Sequence, residues 1–459
     1  MTAPDTVRPA DVSVAAGSLA AADSLGAAAD PGSGLDRTGI DWDAVRADFP
    51  LLGRTVRDGR PLIYLDSAAT SQKPNVVLEA EIDFYEQRNA AVHRGAHHLA
   101  EEATDAFEGA RSSVARFVGV DDDELVWTSG ATAALNLVAY GFSNATLGRG
   151  GTEAERFVLR PGDEIVVTEA EHHANLVPWQ ELCARTGTVL RWFPVSDDGR
   201  LDLSGVDSVI TPRTRIVAFG HVSNVTGAVA PVARLVAAAQ AVGAYTVLDA
   251  CQSVPHLPVD LHALGVDFAA FSAHKMLGPT GVGALYGRRE LLAALPPVTT
   301  GGSMVEVVTM ETTTYAPPPQ RFEAGSQGVA QAVGFGVAAE WLSELGMEAV
   351  AAHEKEMAAE LLKIADLPGV RVIGPLSTED RLAVVSFVVD GVHSHDVGQF
   401  LDNEGIAVRV GHHCAQPLHR RFGVAATARA AASVYTTVED IRAFREALGR
   451  VRAFFGAED

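Results

Sequence analysis

The chain has 459 residues, 47% hydrophobic and 20% charged, with a formal net charge of -22. That length exceeds a single core of about 250 to 300 residues and predicts two domains. The acidic balance argues against nucleic acid, whose phosphates require a basic face, and no apolar run approaches the roughly 20 residues of a membrane span.

Residues 1 to 40 are rich in Ala, Gly, Ser, Asp and Pro and contain no aromatic residue. Such a segment cannot bury enough apolar surface to offset its ordering entropy, and a disordered tail is expected there. The N-terminus has no basic stretch leading into an apolar one, and Cys183, Cys251 and Cys414 follow no framework spacing, so the expected location is the cytoplasm with free thiols. Folding is expected to begin near Asp41 or Asp43, either of which can cap a short helix through Asp48. Leu62-Ile-Tyr-Leu-Asp66 reads as a short strand and Ser67-Ala-Ala-Thr70 as a small-residue loop. Val92-His-Arg-Gly-Ala-His-His98 is a polar loop, and a helix is expected from about Glu101 to Phe117.

From there a short apolar run repeatedly ends in polar residues and gives way to a loop or helix. The runs are Glu124-Leu-Val-Trp-Thr-Ser-Gly130, the segment from Glu164 to Asn175, that from Arg215 to Asn224, Tyr245-Thr-Val-Leu-Asp-Ala-Cys-Gln252, and Val266 to Lys275. Near-continuous apolar strands alternating with helical segments predict an α/β fold with a mostly parallel sheet covered on both faces. In such sheets ligands bind beyond the carboxyl ends of the strands. The polar clusters are therefore expected to meet at one edge as an active site.

Past Gly325 the pattern changes to a smaller α+β domain. Helices are expected over 329–345 and 348–362, strands over 370–373 and 382–389, a helix over 394–403, and a last helix over about 438–455. In that last helix Ile441, Phe444, Leu448, Val451 and Phe455 share one face. The expected division is a tail over 1–40, a large domain over 41–325 whose first part packs on the small domain, and a small domain over 326–459.

Lys275 follows a buried-looking strand and precedes Gly278, Gly281 and Gly283, an environment suited to Schiff-base chemistry, although most lysines are exposed loop residues. Asp249 ends its own strand, where it is either a helix cap or the partner of a cationic ring nitrogen. Together, Lys275 and Asp249 fit a pyridoxal phosphate site. The turn Thr128-Ser-Gly-Ala131-Thr132 opens a helix and offers amides to a phosphate, with Ser272 and His274 as further donors. His172 is positioned to stack on a flat cofactor or to carry protons, unless it is structural. Gln252 can reach a phenolic oxygen. Arg429 suits a substrate carboxylate or is a surface arginine.

Cys414 lies among His412, His413 and Arg409, which favour a thiolate nucleophile. Zinc held by these histidines with His393 and His395 is the competing reading. It is disfavoured because adjacent residues seldom face one tetrahedral centre, and no metal site is expected. Cys251 is read as packing.

Seven motifs in order resemble the SufS-type (group II) cysteine desulfurases, of the class V aminotransferase group of pyridoxal phosphate enzymes. They are Tyr64-Leu-Asp-Ser-Ala-Ala69, Ala91-Val-His-Arg-Gly95, Glu171-His-His-Ala-Asn-Leu-Val-Pro-Trp179, His221-Val-Ser-Asn-Val225, Ser272-Ala-His-Lys275, Arg321-Phe-Glu-Ala-Gly325 and Arg409-Val-Gly-His-His-Cys414. The resemblance spans about Asp43 to Gly456 and implies the fold-type I transferase architecture, a homodimer with sites at the interface, and removal of sulfur from L-cysteine to give alanine. It implies Lys275 as the Schiff-base lysine, Asp249 at the ring nitrogen, His172 stacked on the ring and Gln252 at the phenolic oxygen. Ala131, Thr132, Ser272 and His274 would hold the phosphate, and Ser326 would reach the partner subunit's phosphate. Asn224 and Arg429 would hold the substrate carboxylate, Arg409 and His93 would line the site, and Cys414 would accept the sulfur. An acceptor protein of the SufE or SufU kind would then carry it towards iron-sulfur cluster assembly.

The chain departs from the pattern at Ser326-Gln327, where Thr-Pro is usual, at Ala133 after Thr132, where glutamate is common, and at Thr436, where asparagine is usual. Other readings are selenocysteine lyase acting on L-selenocysteine, a specialised paralogue feeding another pathway, and a non-catalytic cofactor-binding regulator.

Overall fold

Seven strands form the larger sheet: β1 (Leu125–Thr128), β2 (Glu164–Thr168), β3 (Val189–Phe193), β4 (Thr214–Gly220), β5 (Tyr245–Asp249), β6 (Phe268–Ser272) and β7 (Gly283–Gly287). Their order is β1-β7-β6-β5-β4-β2-β3. Six run parallel, and β7 is antiparallel to both its neighbours. The chain is described here from a computed structural model, which describes residues 39–457. The expected tail lies outside them apart from Gly39 and Ile40. From Trp42 onward the chain is one compact unit.

The central strands are buried along nearly their whole length, which is why their sequences are almost unbroken apolar runs. One face packs against the helix Ala131–Thr146, through Leu135, Val138 and Phe142 on Ile165, Val247 and Leu285. β3, at the sheet edge, is partly exposed, with Val189 and Trp192 open to solvent.

A second sheet comprises β8 (Val370–Ile373), β9 (Val384–Val389), β10 (Arg409–Gly411) and β11 (Thr427–Ala431), in the order β8-β9-β11-β10 and antiparallel throughout. It packs on the helices Met347–Leu362, Ser394–Asn403 and Val438–Gly449 through a separate core that includes Phe387, Phe400, Leu401 and Phe444. The last helix breaks at Arg450 and resumes over Val451–Phe454. Ile63–Tyr64 pairs in parallel with Ile406–Ala407, and Leu65 lies in the smaller core.

The helix Val329–Leu345, apolar on all sides, is buried against the helix His98–Phe117 instead of the smaller sheet. A Cβ on Gly336 would come within 2.8 Å of Ala110, so only glycine allows that approach. Among the described residues, no helix is long and apolar enough to cross a membrane.

Candidate active site

The carboxyl ends of β1, β2, β4, β5 and β6 open on one cavity of about 470 Å3, with the smaller sheet closing its other side. It is lined by Ala131, Thr132, His172, Asn224, Asp249, Gln252, Ser272, His274, Lys275, Arg409, Cys414 and Arg429. Of the sequence-derived site residues, only His93 and Ser326 lie elsewhere. His93 is held outside by Glu108, whose Oε1 is 2.8 Å from its Nε2, and lines another hollow with Arg94 and Ser303. Ser326 lines a hollow behind Thr128 and Ser129.

Lys275 ends a short turn (Ala273–Lys275) directly after β6. The small-residue loop after Asp66 fixes that turn. The Ser71 N–H donates to the His274 carbonyl at 2.9 Å, and Ser71 Oγ accepts from the Leu277 N–H at 2.8 Å. Lys73 Nζ adds a 3.3 Å bond to the same His274 carbonyl, and burial pulls its pKa down to about 8. Among the described residues Lys275 has no ion-pair partner.

Asp249 is 9% exposed, and among the described residues its hydrogen bonds come from Cys251 alone, whose N–H donates at 3.0 Å. No cation pairs with it among the described residues. A buried carboxylate in that state fits a protonated ring nitrogen. Cys251 beside it is buried, with its thiol pKa pushed well up by burial.

The phosphate end fits as well. The helix Ala131–Thr146 starts at Gly130, which has no side-chain cap. The Ala131 N–H donates to Ser272 Oγ at 2.8 Å, and the amides of Thr132 and Ala133 have no acceptor among the described residues, so that turn is an anion cradle. β7 lies close beneath it: a Cβ on Gly283 would meet Gly130 Cα at 2.7 Å. His274 Nδ1 is 3.2 Å from Thr70 Oγ1, and burial, with Lys275 and Lys73 nearby, lowers its pKa to about 4.

His172 is also neutral: burial and Lys275 hold its pKa at about 4. Its Nδ1 accepts from the Ala174 N–H at 3.1 Å, which leaves the ring proton on Nε2. The preceding Glu171 was not singled out by sequence reasoning, yet it lines the cavity and ties three segments together. It accepts from Thr168 Oγ1 at 2.6 Å, Asn175 Nδ2 at 2.6 Å and the Gly220 N–H at 3.1 Å. Burial raises its pKa to about 8 against these bonds.

Arg429 on β11 is 2% exposed. It donates to the Asn224 carbonyl at 3.0 Å and to Asp66 Oδ1 at 3.3 Å, while its Nε has no partner among the described residues. Burial lowers its pKa to about 10. Asn224 Nδ2 donates to the His413 carbonyl at 2.6 Å and so braces the Cys414 loop. Gln252 Nε2 donates to the Ala68 carbonyl at 2.8 Å, leaving Oε1 unmatched.

Cys414 is exposed at the cavity mouth, and both it and His413 adopt positive φ, 57° and 50°. Non-glycine residues held this way are strained and cluster where a side chain must be aimed. The loop is held by the Cys414 carbonyl, which accepts from the His173 N–H at 2.7 Å, and by His413 Nε2, 2.8 Å from Thr427 Oγ1.

The family model for class-V aminotransferases matches residues 63–444. The chain is 58% identical over 425 residues to "Probable cysteine desulfurase 2" of Mycobacterium leprae, covering 92% of this chain and 100% of that one. It is 50% identical over 419 residues to "Probable cysteine desulfurase" of Streptomyces coelicolor, covering 91% and 98%. Among solved structures, the cysteine desulfurase CsdA of Escherichia coli matches with a TM-score of 0.81 at 37% identity, over 90% of this chain and 99% of that one. The cysteine desulfurase of Thermococcus onnurineus matches with a TM-score of 0.82 at 36% identity, over 89% and 97%. With its fold, its cavity and these relatives in agreement, the chain belongs to the class-V aminotransferase family.

Proposed function

We propose that the protein is a pyridoxal phosphate-dependent cysteine desulfurase that releases L-alanine from L-cysteine and keeps the sulfur as a persulfide on Cys414. The observation that carries this reading is one cavity shared by Lys275, Asp249, His172, Arg429 and Cys414. Its relatives named as cysteine desulfurases support the same activity.

Ala131, Thr132, Ser272 and His274 would hold the cofactor phosphate, Asp249 its ring nitrogen, Gln252 its phenolic oxygen, and the neutral His172 ring its face. When bound, the cofactor acts as an electron sink for the substrate Cα. Lys275 Nζ would be the amine that tethers it and the base that serves the substrate Cα. Arg429 and Arg409 would meet the substrate carboxylate, with Asn224 fixing the Arg429 side of the cavity.

The Cys414 thiolate attacks the substrate sulfur. An S–S bond forms and the Cβ–S bond breaks. The electron pair passes to Cβ, which takes a proton and becomes the alanine methyl group.

The exposure of Cys414 supports hand-over to an acceptor protein of the SufE or SufU kind, serving iron-sulfur cluster assembly in the cytoplasm. A homodimer is the matching assembly. Leu78, Ile82 and Tyr85 are exposed along one side of a helix and its extension, a face suited to a second copy, and Ser326 and His93 lie outside their own chain's cavity as residues serving the partner's site would.

The test is alanine release from L-cysteine. Cys414→Ala is expected to lose it roughly hundredfold or more while keeping the visible absorbance of the bound cofactor. Lys275→Ala is expected to lose that absorbance and all turnover. Wild-type turnover in Cys414→Ala would refute the persulfide step.

A further inference from the structure

Cys414 sits on a turn whose carbonyls are all held. The His412 carbonyl accepts from the Ala415 N–H at 2.8 Å, the His413 carbonyl from Asn224 Nδ2 at 2.6 Å and the Cys414 carbonyl from the His173 N–H at 2.7 Å. A further anchor is a side chain. Thr427 opens β11 opposite Gly411, the residue that leads into the turn, and is fully buried. Its Oγ1 lies 2.8 Å from His413 Nε2 and 3.1 Å from Nε2 of His419, on the helix Gln416–Arg421 that follows the turn.

The hydrogen-bond directions in this group follow from the chemistry of its members. Burial lowers the pKa of both rings, with Arg429 adding to the effect at His413 and the Ala415 and Gly411 carbonyls opposing it at His419, so both rings are neutral. A carbonyl only accepts. His419 Nδ1, 2.9 Å from the Ala415 oxygen, therefore carries the ring proton, and its Nε2 is bare. That nitrogen takes the Thr427 hydroxyl proton, which leaves Oγ1 to accept from the His413 Nε2–H. His413 Nδ1, without a partner among the described residues, is then the bare nitrogen of its ring. One hydroxyl thus joins the histidines that flank Cys414 in sequence and gives each ring a single tautomer.

His413 and Cys414 have positive φ, 50° and 57°, a conformation that persists only where the surroundings hold it. The Thr427 bond ties that conformation to β11. The same strand carries Arg429 two residues further on, on the side to which Thr427 points, and Arg429 and Cys414 both line the cavity.

We propose that Thr427 is a positioning residue for sulfur transfer, which through His413 and His419 holds the turn in its strained form and so aims the Cys414 thiol at the sulfur of the bound substrate. This rests on the reading of Cys414 as the sulfur acceptor.

The test uses the holoenzyme and follows persulfide formed on Cys414 in a single turnover of L-cysteine, alkylation of Cys414 by iodoacetamide without substrate, and the cofactor's visible absorbance against added cofactor. Thr427→Val keeps the shape of the side chain and removes the hydroxyl. It is expected to slow persulfide formation roughly tenfold or more, as a small misplacement of a reacting atom does. Alkylation, which reaches this exposed thiol from solvent, and cofactor affinity are expected to stay within about threefold of wild type. Thr427→Ser keeps the hydroxyl and should restore persulfide formation to within about threefold. A role in folding alone would lower cofactor affinity together with turnover. The proposal is overturned if Thr427→Val forms persulfide within about threefold of the wild-type rate, or if serine is as slow as valine. It is overturned equally if alkylation falls as far as persulfide formation, because the thiol's reactivity and not its aim would then be lost. Thr427→Ala decides by the same criteria if Thr427→Val does not fold. Failure of the functional reading shows separately, as a wild-type holoenzyme that forms no persulfide on Cys414.

Discussion

Arg111 and Arg429 are both 2% exposed or less, and the protein treats them in opposite ways. Beside β1, Arg111 uses all three guanidinium nitrogens: Nε and Nη2 on Glu108, Nη1 and Nη2 on Glu323, and Nη1 also on the Leu125 carbonyl. Glu323 in turn accepts from the Trp127 N–H at 2.7 Å. These partners raise the Arg111 pKa above its ordinary value, against the effect of burial. At the cavity, Arg429 keeps an unmatched Nε, and burial drives its pKa down to about 10. A buried charge that serves the fold is matched within the chain. One beside the cavity keeps unmet capacity, which costs stability.

The largest expected effect comes from breaking the matched cluster. Glu323→Ala leaves Arg111 buried with two bonds lost and the Trp127 amide without an acceptor. Removing one partner of a buried pair costs about 3–5 kcal/mol. Urea unfolding at neutral pH should show that loss. A change below ~1 kcal/mol would mean that the cluster is not matched in solution and would remove one side of the comparison.

An intermediate effect is expected at His221, buried behind the β4 end with Nδ1 unpartnered and its pKa lowered by burial to about 4. The unfolded chain binds this proton near pH 6.5 and the folded chain only near pH 4, so stability falls as pH drops through that window. His221→Gln should therefore flatten the fall, by about 1–2 kcal/mol between pH 6.5 and 5, measured as the difference between the two proteins' urea curves at each pH. An unchanged slope would show that His221 is solvated or paired.

The architecture was legible wherever burial on both faces produced an unbroken apolar run. β2, β4, β5 and β6 announce themselves in this way, and each ends on the residue that reaches the cavity. β3 escaped because an edge strand keeps one side in water, and Val189-Leu-Arg-Trp-Phe193 lacks that signature. β7 escaped because Gly283, needed for the close approach to Gly130, reads as part of a loop.

In the site, Lys275 and Asp249 could be picked out from their place at strand ends. Asp66 could not, because its partner Arg429 lies 363 positions away, and only the pairing of residues 65–67 with β11 brings them together. Glu171 was hidden for a related reason: its three donors come from β2, from the turn after it and from β4. Unmet hydrogen-bonding capacity, the feature that separates Arg429 from Arg111, is a property of the assembled interior and leaves no trace in local sequence.

The smallest expected effect on stability tests the same distinction from the acidic side. Asp249 is buried and hydrogen-bonded by Cys251 alone, with no cation paired to it among the described residues. Asparagine keeps an oxygen for that bond and removes the uncompensated charge. In cofactor-free protein, Asp249→Asn should therefore shift unfolding by less than ~1 kcal/mol, and towards greater stability if towards either side. The same change should weaken pyridoxal phosphate binding, followed by the cofactor's visible absorbance against added cofactor, because the ring nitrogen loses its counter-charge. A loss of several kcal/mol in the cofactor-free protein would instead place Asp249 with Glu323, as a carboxylate held for the fold.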